Sequence, residues 1–239
     1  LWSIHVSGGF DEAFAEKTLN SPHEYVRAWT VRFLGDTGAV SEGLQRKLGE
    51  RARDESSIVV RSQLACTAKR LPAGSAMPIV AELLRHREDV NDVHLPLLLW
   101  WAIEDKAISD TSGVLQLVES ADVWQLPLVR KFIISRLARR LTAEGTVEAY
   151  TACARLLTLA PGDDNVDLVL QGMVEASSGR RLDGVPGSLQ SALAYLRNRR
   201  PSDTRSLRLA LRMGDAADAA VRLINDTAEP ADNRVNIIR

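Results

Sequence analysis

The segment Ser21-Pro22-His23-Glu24-Tyr25-Val26-Arg27 returns as Glu55-Ser56-Ser57-Ile58-Val59-Val60-Arg61, 34 residues later. The same register reaches Leu95-Pro96 after a further 35 residues and Val129-Arg130 after 34 more. A fixed period of this length marks a repeat architecture in which each repeat is one supersecondary unit. Every register point opens a segment with apolar residues at helical spacing: Val26, Trp29, Phe33 and Leu34; Val60, Leu64, Ala68 and Leu71; Leu95, Leu98, Leu99, Ala102 and Ile103; Val129, Phe132, Ile133 and Leu137. A second amphipathic segment precedes each one, carried by Phe10, Phe14 and Leu19, by Leu44, Leu48 and Ala52, by Met77, Val80, Ala81 and Leu84, and by Leu115 and Val118. Each unit therefore reads as helix, turn, helix. A helix pair cannot bury its stripe alone, so the pairs are expected to stack around a continuous core. The expected fold is all-α, an α-α superhelix or α-solenoid of about six pairs.

Start and stop signals fit that reading. Ser21 with Pro22 and Glu24 predicts a capping box for the second helix, which Gly35 and Gly38 are expected to end. Leu71-Pro72-Ala73-Gly74 predicts the next stop, with Ser75 and Asn91 or Asp92 as later caps. The repeats are regular over residues 1–142 and more degenerate over 143–239. There, residues 146–159 and 166–176 predict a fifth pair, residues 188–196 and 204–213 a sixth, and residues from Ala216 the start of a seventh. The stretch 179–187, with Gly184 and Pro186, reads as a longer loop suited to a bend or a contact. The whole chain is expected to be one solenoid domain. Its first residues, Leu1-Trp2-Ser3-Ile4-His5-Val6, read as the end of a helix, and its last lack a cap, so a longer parent protein is expected.

Composition limits the function. The 30 basic and 31 acidic residues nearly cancel, against a surface devoted to nucleic acid or anionic membrane. No apolar run approaches the length of a membrane span, so no direct membrane insertion is expected. Cys66 and Cys153 are isolated, which fits neither a CxxC metal motif nor a disulfide framework. His5, His23, His86 and His94 show no ligand-pair spacing, although His86 and His94 flank the acidic turn Glu88-Asp89-Asn91-Asp92. No metal site and no cofactor are expected in this chain.

The Val-Arg register, its preceding turn and the Leu34-Gly35-Asp36 ending resemble HEAT repeats. Four phrases narrow the resemblance: Leu1-Trp2 with His5 and Gly8-Gly9; Val26-Arg27-Ala28-Trp29 with Leu34-Gly35-Asp36; Arg70-Leu71-Pro72; and Leu95-Pro96 through Trp100-Trp101 to Glu104. Together they resemble the helical middle segment of planctomycete-type membrane-bound dehydrogenases. In that family a β-propeller precedes the HEAT segment and a c-type cytochrome domain follows it. The resemblance covers most of residues 1–140 and implies a periplasmic or cell-envelope setting. No Cys-x-x-Cys-His motif occurs here, so the redox chemistry would belong to flanking domains.

Three groups are candidates for function. Arg27, Arg61 and Arg130 recur at one helix position near Asp54, Glu55, Asp89 and Asp122. They predict a structural ladder of charge-assisted hydrogen bonds, with an acidic partner as the alternative. Trp100 and Trp101 point about 100° apart on a helix, so one is expected to be partly exposed. Trp101 with Asp105 also resembles the aromatic–acid pair of HEAT-like alkylpurine DNA glycosylases. Finally, residues 180–212 hold Arg180, Arg181, Arg197, Arg199, Arg200, Arg205, Arg208 and Arg212 against only Asp183 and Asp203. This basic segment is expected to pair with the acids downstream, Asp215, Asp218, Asp226, Glu229 and Asp232, or to meet an anionic partner. The leading expectation is a non-catalytic scaffold or spacer contacting flanking domains or another protein, without nucleic acid; the alternative is the glycosylase.

Overall fold

The computed structural model describes residues 1–201, 203–214, 221, 222, 224–226, 230, 231, 234 and 235. The described residues form an all-α fold without a strand. The expected start of a seventh pair, and Asp215, Asp218, Glu229 and Asp232, lie outside them. Their contacts gather into two compact units, Leu1–Ile133 and Ile134–Arg239.

In the first unit, α1 (Trp2–Val6) precedes three helix pairs: α2 (Glu12–Leu19) with α3 (Glu24–Asp36), α4 (Glu42–Asp54) with α5 (Ile58–Arg70), and α6 (Ala73–Leu83) with α7 (Leu95–Lys106). The short α8 (Thr111–Gln116) leads through a 3-10 turn, Val123–Gln125, into one π-helical turn, Val129–Ile133. Helices two apart in sequence pack side by side. α3 lies on α5 and α5 on α7, forming one row, while α2, α4, α6 and α8 form a second. Leu44, Leu48 and Ala52 show why: at i, i+4 and i+8 they occupy one side of α4, and all three are buried.

Caps set the helix starts. The Asp11 carboxylate accepts from Phe14 N, and the Ser41 hydroxyl accepts from Leu44 N. Asp92 accepts from both His94 N and Leu95 N, which starts α7 as its sequence predicts. Four local expectations need correction. Glu24 accepts a hydrogen bond from the Ser57 hydroxyl of the next pair, so the capping box around Ser21 does not form. Gly35 lies inside α3, where a Cβ would stand 2.8 Å from Thr67 Cγ2; Gly38, at φ +70°, follows the helix end. Gly74 and Ser75 lie inside α6 rather than ending or capping a helix. Trp29 is exposed and Val26 half-buried, the core face of α3 being Ala28, Val31, Phe33 and Leu34.

The fourth pair is the least regular. α8 stops at Gln116, and the gap is filled by Trp124, fully buried with Nε1 donating to Val118 O at 2.7 Å.

The second unit holds α9 (Ile134–Glu144), α10 (Val147–Leu159), α11 (Asp163–Ser177), α12 (Gly187–Arg199) and α13 (Thr204–Arg212). Here too α9 packs on α11, α11 on α13 and α10 on α12. Thr146 and Asp203 cap α10 and α13, at the fifth and sixth pairs the spacing predicts. α9 and α11 approach closely enough that a Cβ on Gly172 would lie 2.0 Å from Ser135 O. The loop 178–186 carries Leu182 into the core, where its N–H donates to Arg212 O at 2.9 Å.

Candidate functional site

Two register arginines share one geometry. Arg27 donates through Nε and one terminal nitrogen to the Glu55 carboxylate at 2.8 and 2.6 Å, and through the other to Ser21 O at 2.8 Å. Arg61 repeats this with Asp89 at 2.7 and 2.5 Å, and with Glu55 O at 2.8 Å. Each fork spans 28 residues, and the carbonyl lies six residues back. Arg61 and Asp89 are buried, so the two-point match of guanidinium to carboxylate is made away from water. Burial pushes the Glu55 carboxyl up, but the Arg27 fork, the Ser57 N–H and the Arg27 and Arg51 charges together hold it below its ordinary value. Arg130 stands half-buried in the π turn, a different backbone setting from α3 and α5. Of the other acids expected near the ladder, Asp54 is exposed and Asp122 lies 3.5 Å from Arg85 at the surface.

A second recurring device is absent from the sequence reading. Arg70, at the end of α5, donates to Arg32 O near the end of α3 and pairs with Asp36. Lys106, buried at the end of α7, donates to Lys69 O near the end of α5. In the second unit Arg180, following α11, donates to Thr142 O and Ala143 O at the end of α9. In each case a cation at or beyond the end of one helix meets carbonyls of the last turns of its neighbour, where the dipole is negative; the carbonyls met by Lys106 and Arg180 are among those that helical hydrogen bonding leaves unpaired. A basic residue closing α5 and α7, Arg70 and Lys106, was the available signal.

Trp100 is buried and Trp101 is 45% exposed, with Lys69 Nζ 5.9 Å from its ring centroid. Asp105 is engaged by Lys106 Nζ at 2.5 Å. The basic segment is also partnered. Arg199 meets Asp163 at 3.0 Å, and Arg200 and Arg205 converge on Asp167 at 2.5 and 2.8 Å and on Asp203 at 3.4 and 2.9 Å. These carboxylates come from α11 and the α13 cap, upstream of the acids the sequence reading expected. Arg181 is exposed and Arg197 half-buried, while burial, with Arg212 nearby, lowers the pKa of Arg208.

The structure also brings together His86, Glu88 and Asp89, whose ligand atoms lie within 4.8 Å of one another. Their spacing, i, i+2 and i+3, becomes convergent only in the 3-10 turn Arg87–Asn91. Both Asp89 oxygens already accept from Arg61, and His86 Nε2 lies 2.8 Å from Ala52 O. A guanidinium thus supplies the positive charge at this turn, a donor set that fits a structural clasp better than a metal. Cys66 and Cys153 are free thiols, and burial pushes Cys153 up to about 12. Open grooves include one of ≈ 460 Å³ between α6 and α8, floored by Met77, Leu84 and Leu117, and one of ≈ 590 Å³ beside Tyr195 and Arg199. No described helix is long and apolar enough to cross a membrane.

Compared with protein-family models, curated proteins and solved structures, the chain matches none of them.

Proposed function

We propose that the chain is a HEAT-like α-solenoid acting as a non-catalytic scaffold or spacer between protein domains. The observation that carries this reading is the repeated fork, Arg27–Glu55 and Arg61–Asp89, which ties the first helix pair to the second and the second to the third through the same guanidinium nitrogens at the same interval. Ion pairs of this kind use charged groups to fix the register of neighbours. Side-by-side packing of alternate helices in each unit supports the same reading. In the setting implied by the family resemblance, the partners are a propeller before this segment and a cytochrome domain after it, which supply the chemistry and the haem.

Cross-linking mass spectrometry on the full-length parent protein tests the proposal. Cross-links from these helices to flanking domains or to a second protein are the expected result. Excision of alkylated bases from DNA, lost on replacing Asp105 by Asn, would overturn it in favour of the glycosylase reading.

A further inference from the structure

The row α3, α5, α7 presents one continuous side-chain stripe that the core does not use. On α3 it is Tyr25, Trp29, Arg32 and Asp36, at i, i+4, i+7 and i+11, all exposed. On α5 the same offsets give Val59, Gln63, Cys66 and Arg70, each 34 residues on. The Arg70–Asp36 ion pair ties the two stripes side by side. On α7, Leu97 and Trp101 are exposed, and Lys69 of α5 reaches over the Trp101 ring. Trp29, whose ring also meets Trp2 edge-on at 5.8 Å, and Trp101 are 44% and 45% exposed on the two helices that flank α5, whose Gln63 and Cys66 are half-buried. With neighbouring helix axes 8–10 Å apart, α3 and α7 are separated by about 16–20 Å, room for one further helix about 10 Å across.

The charges on this face select the occupant. Arg32 lies over Trp29 at 5.4 Å, Lys69 over Trp101 at 5.9 Å, and the exposed Lys131 is in the π turn that packs on α7. Among the described residues none of the three has a carboxylate partner, whereas Asp36 and Asp105 are engaged by Arg70 and Lys106. Glu104, half-buried, is the remaining acid of the stripe. Exposed tryptophans flanked by unpaired cations are suited to a segment with apolar side chains along one face and carboxylates at its margins. We propose that this face docks an acidic amphipathic helix, its apolar side on Trp29, Leu97 and Trp101 and its carboxylates against Arg32 and Lys69. The proposal rests on the scaffold reading above and names its partner's chemistry.

Fluorescence anisotropy with three labelled probes tests it: an amphipathic peptide of about five helical turns with Leu and Phe on one side and Glu on the other, its Lys-for-Glu twin, and oligothymidylate. The Glu peptide is expected to bind, more weakly as salt rises. Trp29→Ala or Trp101→Ala should each weaken it about tenfold, in the range of an interface anchor. Arg32→Glu with Lys69→Glu should turn the preference to the Lys twin. Equal binding of the two peptides overturns the proposal, as does Trp-dependent binding of oligothymidylate in their place, insensitivity to both tryptophans, or no binding of the Glu peptide. If the Glu peptide fails while cross-links from these helices in the parent protein persist, this surface assignment falls and the scaffold stands. Absence of those cross-links is what would remove the scaffold.

Discussion

The described residues of the two units build the same helix-pair plan, through α8 in the first and from α9 to α13 in the second, with different fastenings. In the first unit neighbouring pairs are joined by buried forks, Arg27 to Glu55 and Arg61 to Asp89. In the second, α9 and α11 meet backbone to backbone at Gly172, and the arginines of α12 and α13 hold Asp163, Asp167 and Asp203 nearer the surface. The difference shows that a helix-pair period does not dictate how successive pairs are locked together. A buried fork demands one acid at one place, whereas a surface cluster tolerates several arrangements. That is one physical reason for the second half to read as degenerate.

The largest expected effect comes from breaking a fork. Arg61→Ala leaves Asp89 buried and unpaired, which should cost about 3–5 kcal/mol. Denaturant titration reads the loss, and hydrogen exchange should place it in α5 and α7. Replacing both partners, Arg61→Met with Asp89→Leu, should recover most of the stability; failure to recover would mean that the fork sets the packing itself. The counterpart in the second unit is Gly172→Ala. A Cβ against Ser135 O must push α11 off α9, at about 3 kcal/mol, and faster exchange should appear in those two helices.

Acid separates the fastenings less sharply, because Glu55 and Asp203 are both held below their ordinary values. Burial raises each of them, but the arginines and N–H groups around them prevail. A carboxyl with a depressed folded pKa contributes stability above its unfolded value, near 4.3 for Glu, and that stability is lost as pH falls through the folded value. Thermal melts from pH 7 to 3 should therefore fall at the acid end, and Glu55→Gln should flatten that limb from a lower starting point. The smallest effect is expected from Arg199→Ala, below about 1 kcal/mol, since its pair with Asp163 is exposed. A loss comparable with Arg61→Ala would erase the contrast between the two units.

Much of the helix pairing is legible in the sequence because burial at i and i+4 leaves a periodic trace, as with Leu44, Leu48 and Ala52. Asp92 and Thr146 are equally readable, since a cap acts within a few residues. What stays hidden depends on the neighbouring repeat. Asp54 and Glu55 are adjacent acids, and only the path of the chain leaving α4 decides that Glu55 turns inward to Arg27. Gly35 looks like a helix stop until Thr67 is seen against it. Trp29 fits the apolar period of α3, yet it stays exposed because the core side is set by Val31 and Phe33. Arg180 reads as part of a charge run, but the carbonyls it meets lie 37 and 38 residues back.

Because each fork joins residues 28 apart, it closes a loop of chain without a covalent bond. The stretches 27–55 and 61–89 are each cinched at their ends, and the turn around Gly38 lies inside the first. A protease cutting at that turn would sever the chain but leave both pieces clasped by Arg27 and Glu55. Split-protein complementation would then have a natural cut site in this turn, with the two halves reassembling around a pair of charges they already share.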